Sequence, residues 1–195
     1  LNSFTASDLS LVNGGVLANY DVAILGEMAL TAGQVTMLGD WVNAGGTLFA
    51  MRPDAQLAGH LGITPLGGTL SEGYIDVENT GAGAGIVSET MQYHGAANLY
   101  SLSGATTVAT LFSSATTSTP NPAITTRTVG SNGGRAIAFA YDHARSIVYT
   151  RQGNPSSSGQ ERDGTSPIRS NDLFFGAAAG DPQPDWINLD KVAIP

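Results

Sequence analysis

The feature that most constrains the fold is a strand–helix–strand pattern between residues 20 and 52. Residues 21–26 form a short, nearly continuous apolar run, typical of a parallel strand that is covered on both faces. Thr31 and Gln34 make a capping box, after which apolar residues recur at helical spacing until a Gly-Gly pair. Residues 47–51 form a second buried strand. Two strands joined by a helix of about thirteen residues predict a right-handed crossover, and hence a parallel sheet with helices outside it.

The remainder of the chain predicts shorter strands. Residues 53–62 suit a short helix closed by a glycine, and residues 146–149 suit either a strand or the start of a helix. A glycine-rich excursion and a Ser/Thr/Pro-rich loop are expected at 67–85 and 113–122, and a helix is expected at 171–179. Alternating patterns predict further strands at 74–78, 100–102, 107–112, 123–129 and 135–141.

These elements predict a single α/β domain over residues 1–195. We expect three layers around a mostly parallel, doubly wound, flavodoxin-like sheet, with antiparallel strands added in the C-terminal half. The chain begins without a methionine and in mid-pattern, which favours a larger protein whose first strand and helix lie upstream. Other domains of the same polypeptide are therefore expected partners.

Charge limits the classes of partner. The chain has 16 acidic and 8 basic residues, a net charge of −8, and no Lys/Arg stripe that would neutralise phosphates. Nucleic acids and anionic membrane surfaces are therefore excluded as expected partners. The absence of cysteine excludes disulfides and thiolate nucleophiles, and richness in small residues with a single lysine favours an exported, extracytoplasmic bacterial protein.

The order of features resembles the class I glutamine amidotransferase-like superfamily, in particular its divergent, trehalose-utilisation-type branch. The resemblance rests on residues 20–27, on the capped helix with its Gly-Gly stop, on residues 47–48 and on residues 134–139, about half of the chain. It implies an elbow after the second strand that presents a nucleophilic cysteine. Here that elbow is Arg52-Pro53-Asp54, so the resemblance implies a member that is not an amidotransferase.

Several side chains are candidates for a ligand site at the ends of the strands. His143, which follows a late strand, and Glu161 are the candidate catalytic residues, as groups that would activate water. Arginines in this region would hold an anion or a sugar, or would instead pair with neighbouring acids to fix a long loop. The candidate ligand-binding residues are Glu27, Arg52, His94, Arg145, Arg151, Gln152 and Arg162.

The elbow itself leaves two alternatives open. A helix N-terminus at Arg52-Pro53-Asp54 favours a bound anion, but Asp54 equally compensates the helix dipole. The three histidines lack any metal-ligand spacing, so the sequence predicts no metal and no cofactor.

Three functions fit these observations. The first is a ligand-binding or accessory module for a small molecule or carbohydrate. The second is a hydrolase in which His143 or Glu161 activates water beside an arginine clamp. The third is a structural module between domains.

Overall fold

A computed structural model describes residues 4–86 and 89–152, with side chains described through residue 150. In this part of the chain the helices are α1 (Gly14–Leu17), α2 (Ala32–Asn43), α3 (Ala58–Leu61) and α4 (His143–Gln152). The strands are β1 (Val22–Leu25), β2 (Thr47–Met51), β3 (Ile63–Ser71), β4 (Tyr74–Val77), β5 (Met91–Gln92), β6 (Ala96–Leu102), β7 (Thr106–Ser114), β8 (Thr117–Val129) and β9 (Gly134–Phe139).

Seven of these strands form one mixed sheet in the order β1-β2-β9-β8-β7-β4-β5. β1, β2 and β9 are parallel, whereas β8, β7, β4 and β5 pair with their neighbours in antiparallel fashion. β3 and β6 form a separate antiparallel pair. The predicted crossover therefore builds one end of a sheet whose larger part is antiparallel.

The prediction of a three-layer, mostly parallel, flavodoxin-like sheet is wrong. Only two of the six neighbouring strand pairs in the large sheet are parallel. The physical reason lies in residues 90–126, which contain no Asp, Glu, Lys or Arg and alternate in polarity. Such a segment forms strands linked by tight hairpins, and antiparallel strands need no crossover helix.

The region between β7 and β8 shows this difference most directly. The predicted loop at 113–122 is a hairpin in which Ser114 pairs with Thr117, and Pro120 and Pro122 lie within β8. The pairing of β7 with β8 shifts register several times around Pro122. Irregular pairing accommodates a residue that has no N–H to donate, so proline does not end the strand here.

Local predictions within the crossover unit are confirmed. Thr31 Oγ1 accepts the Gln34 N–H at 3.3 Å, and Gln34 Oε1 accepts the Thr31 N–H at 2.9 Å. Gly45 has a φ of 119°, and a Cβ at Gly46 would overlap the ring of Trp41. Both glycines are therefore required for α2 to turn back into β2.

Part of the core lies between this helix and one face of the parallel strands. Val35, Leu38, Trp41 and Val42 of α2 are buried in one cluster with alternate residues of β2 and β9: Leu48, Ala50, Ala136 and Ala138. β1 was expected to be covered on both faces, but it is the edge strand of the sheet. Among the described residues, Val22 is 48% exposed and Ile24 is 56% exposed. None of the helices that the structure describes is long and apolar enough to cross a membrane.

Candidate functional site

Four charged side chains meet where three neighbouring parallel strands end. Glu27 follows β1, Arg52 follows β2, and both Asp142 and Arg145 follow β9. The strand order β1-β2-β9 places these three ends side by side at one edge of the sheet. Because ligands of open α/β sheets bind outside the carboxyl ends of parallel strands, this edge is the candidate site.

Glu27 is the centre of this charged cluster. Arg52 Nη1 donates to Glu27 Oε1 at 2.7 Å, in a pair whose side chains are 22% and 28% exposed. Arg145 Nη1 lies 3.2 Å from Glu27 Oε2, an ion pair without the alignment of a hydrogen bond. Arg145 Nη2 also lies 3.6 Å from Asp142 Oδ2. Two guanidinium groups and two carboxylates therefore neutralise one another, so the cluster has no surplus positive charge for an anion.

The backbone of Arg52 is in the left-handed region, with a φ of 43°. Among the described residues, only Arg52 and Glu72 combine a positive φ with a side chain. Such a conformation is costly for an L-residue and is found most often where a functional side chain must be aimed. Arg52 occupies the elbow at which the amidotransferase resemblance implies a nucleophile.

Neutral polar groups extend the cluster into an adjacent cavity. Arg52 Nε donates to Asn98 Oδ1 at 3.1 Å, and Asn98 Nδ2 donates to the Tyr100 hydroxyl oxygen at 3.2 Å. The Tyr100 hydroxyl in turn donates to the Pro53 carbonyl at 3.3 Å, and burial raises the pKa of Tyr100. The cavity has a volume of about 260 Å³ and is lined by Pro53, Ala55, Pro65, Gly67, Gly68, Thr69, Asn98, Leu99 and Tyr100.

Asp54 resolves the alternative left open at the elbow. Its carboxylate accepts the N–H of Gln56 at 2.8 Å and the N–H of Leu30 at 3.0 Å, and these bonds lower the pKa of Asp54. The residue therefore caps the 3₁₀ turn that follows β2. Since its own carboxylate occupies these donors, the turn is not a free anion site.

His143 lies at the start of α4, beside the cluster. Its ring stacks on Phe139 with centroids 5.2 Å apart, and its Nδ1 lies 3.2 Å from the Tyr141 hydroxyl oxygen. Burial lowers the pKa of His143. The imidazole is therefore neutral near pH 7 and chemically able to accept a proton.

His94 contacts the same helix through its backbone. Its backbone N–H donates to Ser146 Oγ at 2.9 Å, and its Nδ1 lies 2.9 Å from Glu72 Oε2. Glu72 also accepts the Gly95 N–H at 2.7 Å. These contacts link His94 to α4 but not to the side chains of Glu27, Arg52 or Arg145.

The remaining candidates lie at or beyond the limit of the described side chains. The backbone of Arg151 and Gln152 forms the end of α4, whereas Glu161 and Arg162 lie outside the described residues. Within the described ranges, no group of three or more His, Asp or Glu side chains has an arrangement that could hold a metal.

Sequence reasoning missed Asn98, Tyr100 and Glu72. Asn98 and Tyr100 lie in β6, which pairs with β3. Glu72 directly follows β3, and its N–H donates to the carbonyl of Gly95, just before β6. No local pattern in the sequence specifies this antiparallel pairing. The only available signal was an amide inside an otherwise apolar alternating segment at 96–102. Asn98 is a half-buried polar residue that joins the elbow to the cavity.

Comparison with solved structures shows that part of this chain is similar in fold to parts of other proteins. No family model and no curated protein matches the chain. The β-galactosidase from Bacillus circulans sp. alkalophilus matches with a TM-score of 0.52 and 13% identity over 64% of this chain and 20% of the enzyme. The exo-β-1,4-mannosidase Op5Man5 from Opitutaceae bacterium strain TAV5 matches with a TM-score of 0.51 and 16% identity, over 67% of this chain and 22% of the enzyme.

A third similar structure is not named as a glycosidase. The N-terminal domain of IFT52 matches with a TM-score of 0.53 and 16% identity, over 68% of this chain and 70% of that domain. At such identities the similarity shows the fold alone. The chain spans about a fifth of the length of the two enzymes. None of the three structures is named as an amidotransferase, so that resemblance stays a prediction.

Proposed function

We propose that this chain is a ligand-binding or accessory domain for a neutral carbohydrate, within a larger exported bacterial protein. The observation that carries the proposal is the placement of Arg52 between Glu27 and Asn98, because Asn98 lines the cavity. Similarity to domains of glycosidases supports the carbohydrate class.

The balance of charge supports a neutral rather than an anionic ligand. Arg52 and Arg145 are both paired with Glu27, and Arg145 also with Asp142. A carboxylate or phosphate would have to displace these acids and would leave them without partners. A sugar hydroxyl can donate to a carboxylate and accept from a guanidinium or amide without breaking the ion pairs.

The shape of the cavity supports a small ligand. Its wall combines the polar residues Asn98, Tyr100 and Thr69 with glycine, proline, alanine and leucine. Its volume of about 260 Å³ lies just below the usual range for sites that hold drug-sized molecules. One or two sugar rings are therefore the expected size of ligand. Gly67 and Gly68 carry no side chain that would narrow the opening.

Thermal unfolding with added sugars tests the proposal. The probes are galactose, mannose, lactose and mannobiose, with glucuronate as the anionic comparison. At ten times its Kd a ligand adds about 1.4 kcal/mol of stability, which raises the Tm of a chain of this size by roughly 3–6 °C. We expect such a shift with at least one neutral sugar and a smaller one with glucuronate.

Matched variants assign the shift to the site. Asn98→Ala and Arg52→Gly should abolish it, whereas Arg135→Ala, which alters an exposed arginine of β9, should preserve it. A shift that persists in Asn98→Ala and Arg52→Gly would contradict the proposed site, and the absence of a shift with every sugar would contradict the carbohydrate class. Hydrolysis of nitrophenyl glycosides that is lost in His143→Gln would instead support the hydrolase alternative.

A further inference from the structure

The two strands of the small sheet do not pair residue for residue. β3 and β6 pair at Pro65 with Tyr100 and again at Thr69 with Asn98. Three residues of β3 lie between these pairs, whereas Leu99 alone lies between them in β6, so β3 has an excess of two residues. The pairs before and after this point are regular, and a β3 shorter by two residues would pair with β6 in one continuous register.

Gly67 and Gly68 form this excess, and we call them the glycine insertion. Their φ angles are 74° and 76°, in the left-handed region that favours glycine. Glycine inside a strand weakens the strand, and it often marks a point at which a ligand or another backbone approaches closely. Bulges of this kind are over-represented next to active sites. Because the pairing on either side does not need these two residues, the insertion indicates a function other than pairing.

The glycine insertion forms part of the wall of the candidate cavity. Gly67 and Gly68 line the cavity together with Pro65 and Thr69 on either side of them. A Cβ at Gly67 would meet nothing within 4 Å, so one side of this residue is open. Residues 64–69 are all exposed. A small molecule in the cavity can therefore reach the backbone of the insertion directly.

Most backbone hydrogen-bonding groups at this point cannot be paired within the small sheet. Leu66, Gly67 and Gly68 each carry one N–H and one C=O. Leu99, the one residue that lies opposite them, offers one N–H and one C=O in return. The surplus donors and acceptors lie at an exposed surface, where water or a ligand can bind them.

The polar side chains beside the insertion are already bonded to one another. Asn98 accepts from Arg52 and donates to the Tyr100 hydroxyl oxygen, and that hydroxyl donates to the Pro53 carbonyl. These bonds hold the three side chains in place and use part of their hydrogen-bonding capacity. A ligand with several hydroxyls therefore needs further partners, and the backbone of the glycine insertion provides donors and acceptors side by side.

We propose that the glycine insertion determines the specificity of the carbohydrate site, and that its backbone N–H and C=O groups bind hydroxyls of the sugar. The inference rests on the proposed function and deepens it. A hydroxyl both donates and accepts, so neighbouring hydroxyls of a sugar match a backbone segment that presents both kinds of group. An ionised carboxylate only accepts, and it would leave the C=O groups of the insertion without a partner.

Deletion of Gly67 and Gly68 separates ligand binding from folding. The deletion joins Leu66 to Thr69 and makes the register continuous, so the urea midpoint should not fall. Isothermal titration calorimetry with galactose, mannose, lactose and mannobiose measures the Kd. For every sugar that binds the unaltered chain, we expect the deletion to raise the Kd at least about tenfold, which corresponds to about 1.4 kcal/mol.

The calorimetry distinguishes failure of this inference from failure of the proposed function. A Kd that the deletion leaves unchanged would overturn the inference, and the carbohydrate site would stand without the glycine insertion. If none of the four sugars binds the unaltered chain, both the proposed function and the inference are overturned.

Amide hydrogen exchange in the unaltered chain gives a second measurement, and it decides the matter if the deletion lowers the urea midpoint. At ten times its Kd a sugar occupies the site about nine-tenths of the time, so exchange of the Gly67 and Gly68 amides should slow about tenfold. Gly104 and Gly133 are exposed glycines at positive φ that do not line the cavity, and their amides serve as internal controls. Unchanged exchange at Gly67 and Gly68, or equal slowing at the two controls, would overturn the inference.

Discussion

Arg52 gives the sharpest prediction, because its backbone and its side chain can be tested separately. Arg52→Ala and Arg52→Gly both remove the bonds to Glu27 and Asn98. Only glycine adopts a φ of 43° without strain. The two variants therefore differ in backbone strain while sharing the loss of the guanidinium.

The size of the difference follows from two opposing terms. A left-handed conformation costs an L-residue such as Ala about 1–2 kcal/mol, a cost that Gly avoids. Gly in turn lowers the stability by about 0.5–1 kcal/mol, because its unfolded chain has greater conformational freedom. Arg52→Gly should therefore be more stable than Arg52→Ala by about 0.5–1 kcal/mol. Loss of the partly exposed ion pair should lower the free energy of unfolding of both variants by about 1 kcal/mol relative to the unaltered chain. In Arg52→Gly the relief of backbone strain offsets part of this loss.

Urea and thermal unfolding, followed by circular dichroism, measure this difference. At about 2–4 °C per kcal/mol for a chain of this size, the glycine variant should melt roughly 1–4 °C above the alanine variant. Alanine that is as stable as glycine, or more stable, would refute the strain at Arg52. A sugar-induced shift should be absent from both variants, because the proposed ligand contact depends on the guanidinium and not on backbone strain.

Two further predictions concern packing and pH. Gly33 and Gly39 both lie in α2, so replacement by Ala favours the helix at each position by up to about 1 kcal/mol. The methyl group of Gly33→Ala meets nothing within 4 Å, whereas that of Gly39→Ala would overlap the ring of His60. Gly39→Ala should therefore be less stable than Gly33→Ala by about 1–3 kcal/mol, and equal urea midpoints for the two variants would contradict the helix packing. Burial lowers the pKa of His143 in the folded chain below the value of about 6.5 expected in the unfolded chain. The stability that the neutral imidazole contributes is therefore complete above about pH 6.5, and it is lost as the pH falls through the pKa of the folded state. The Tm of His143→Gln should therefore fall less between pH 7.5 and pH 5 than that of the unaltered chain, and equal falls would show that burial does not perturb this histidine.

The sequence predicted those parts of the fold that depend on local interactions. The capping box of Thr31 and Gln34 and the Gly-Gly stop fix α2 by contacts within one turn, so their pattern was sufficient. Glu27, Arg52 and Arg145 each follow a parallel strand, and the carboxyl ends of neighbouring parallel strands lie at one edge of the sheet. Both successes came from the parallel end of the sheet.

The rest depended on long-range pairing. Nothing within residues 22–25 distinguishes an edge strand from a central one, and nothing around Pro122 indicates that irregular pairing would accept a proline. Asn98 and Tyr100 face the site because β6 pairs with β3, a strand interrupted by Gly67 and Gly68 at positive φ. Which strands pair depends on packing across the whole sheet and not on residues that are neighbours in sequence.

The most direct test of the carbohydrate site is an NMR titration of the ¹⁵N-labelled full chain with the sugar that gives the largest thermal shift. We predict that the largest chemical-shift changes fall on the side-chain signals of Arg52 and Asn98 and on the backbone amides of Gly67 and Gly68. Amides of β4 and β5, whose residues do not line the cavity, should stay unchanged. Changes that scatter over the surface, or that spare Arg52 and Asn98, would contradict the site.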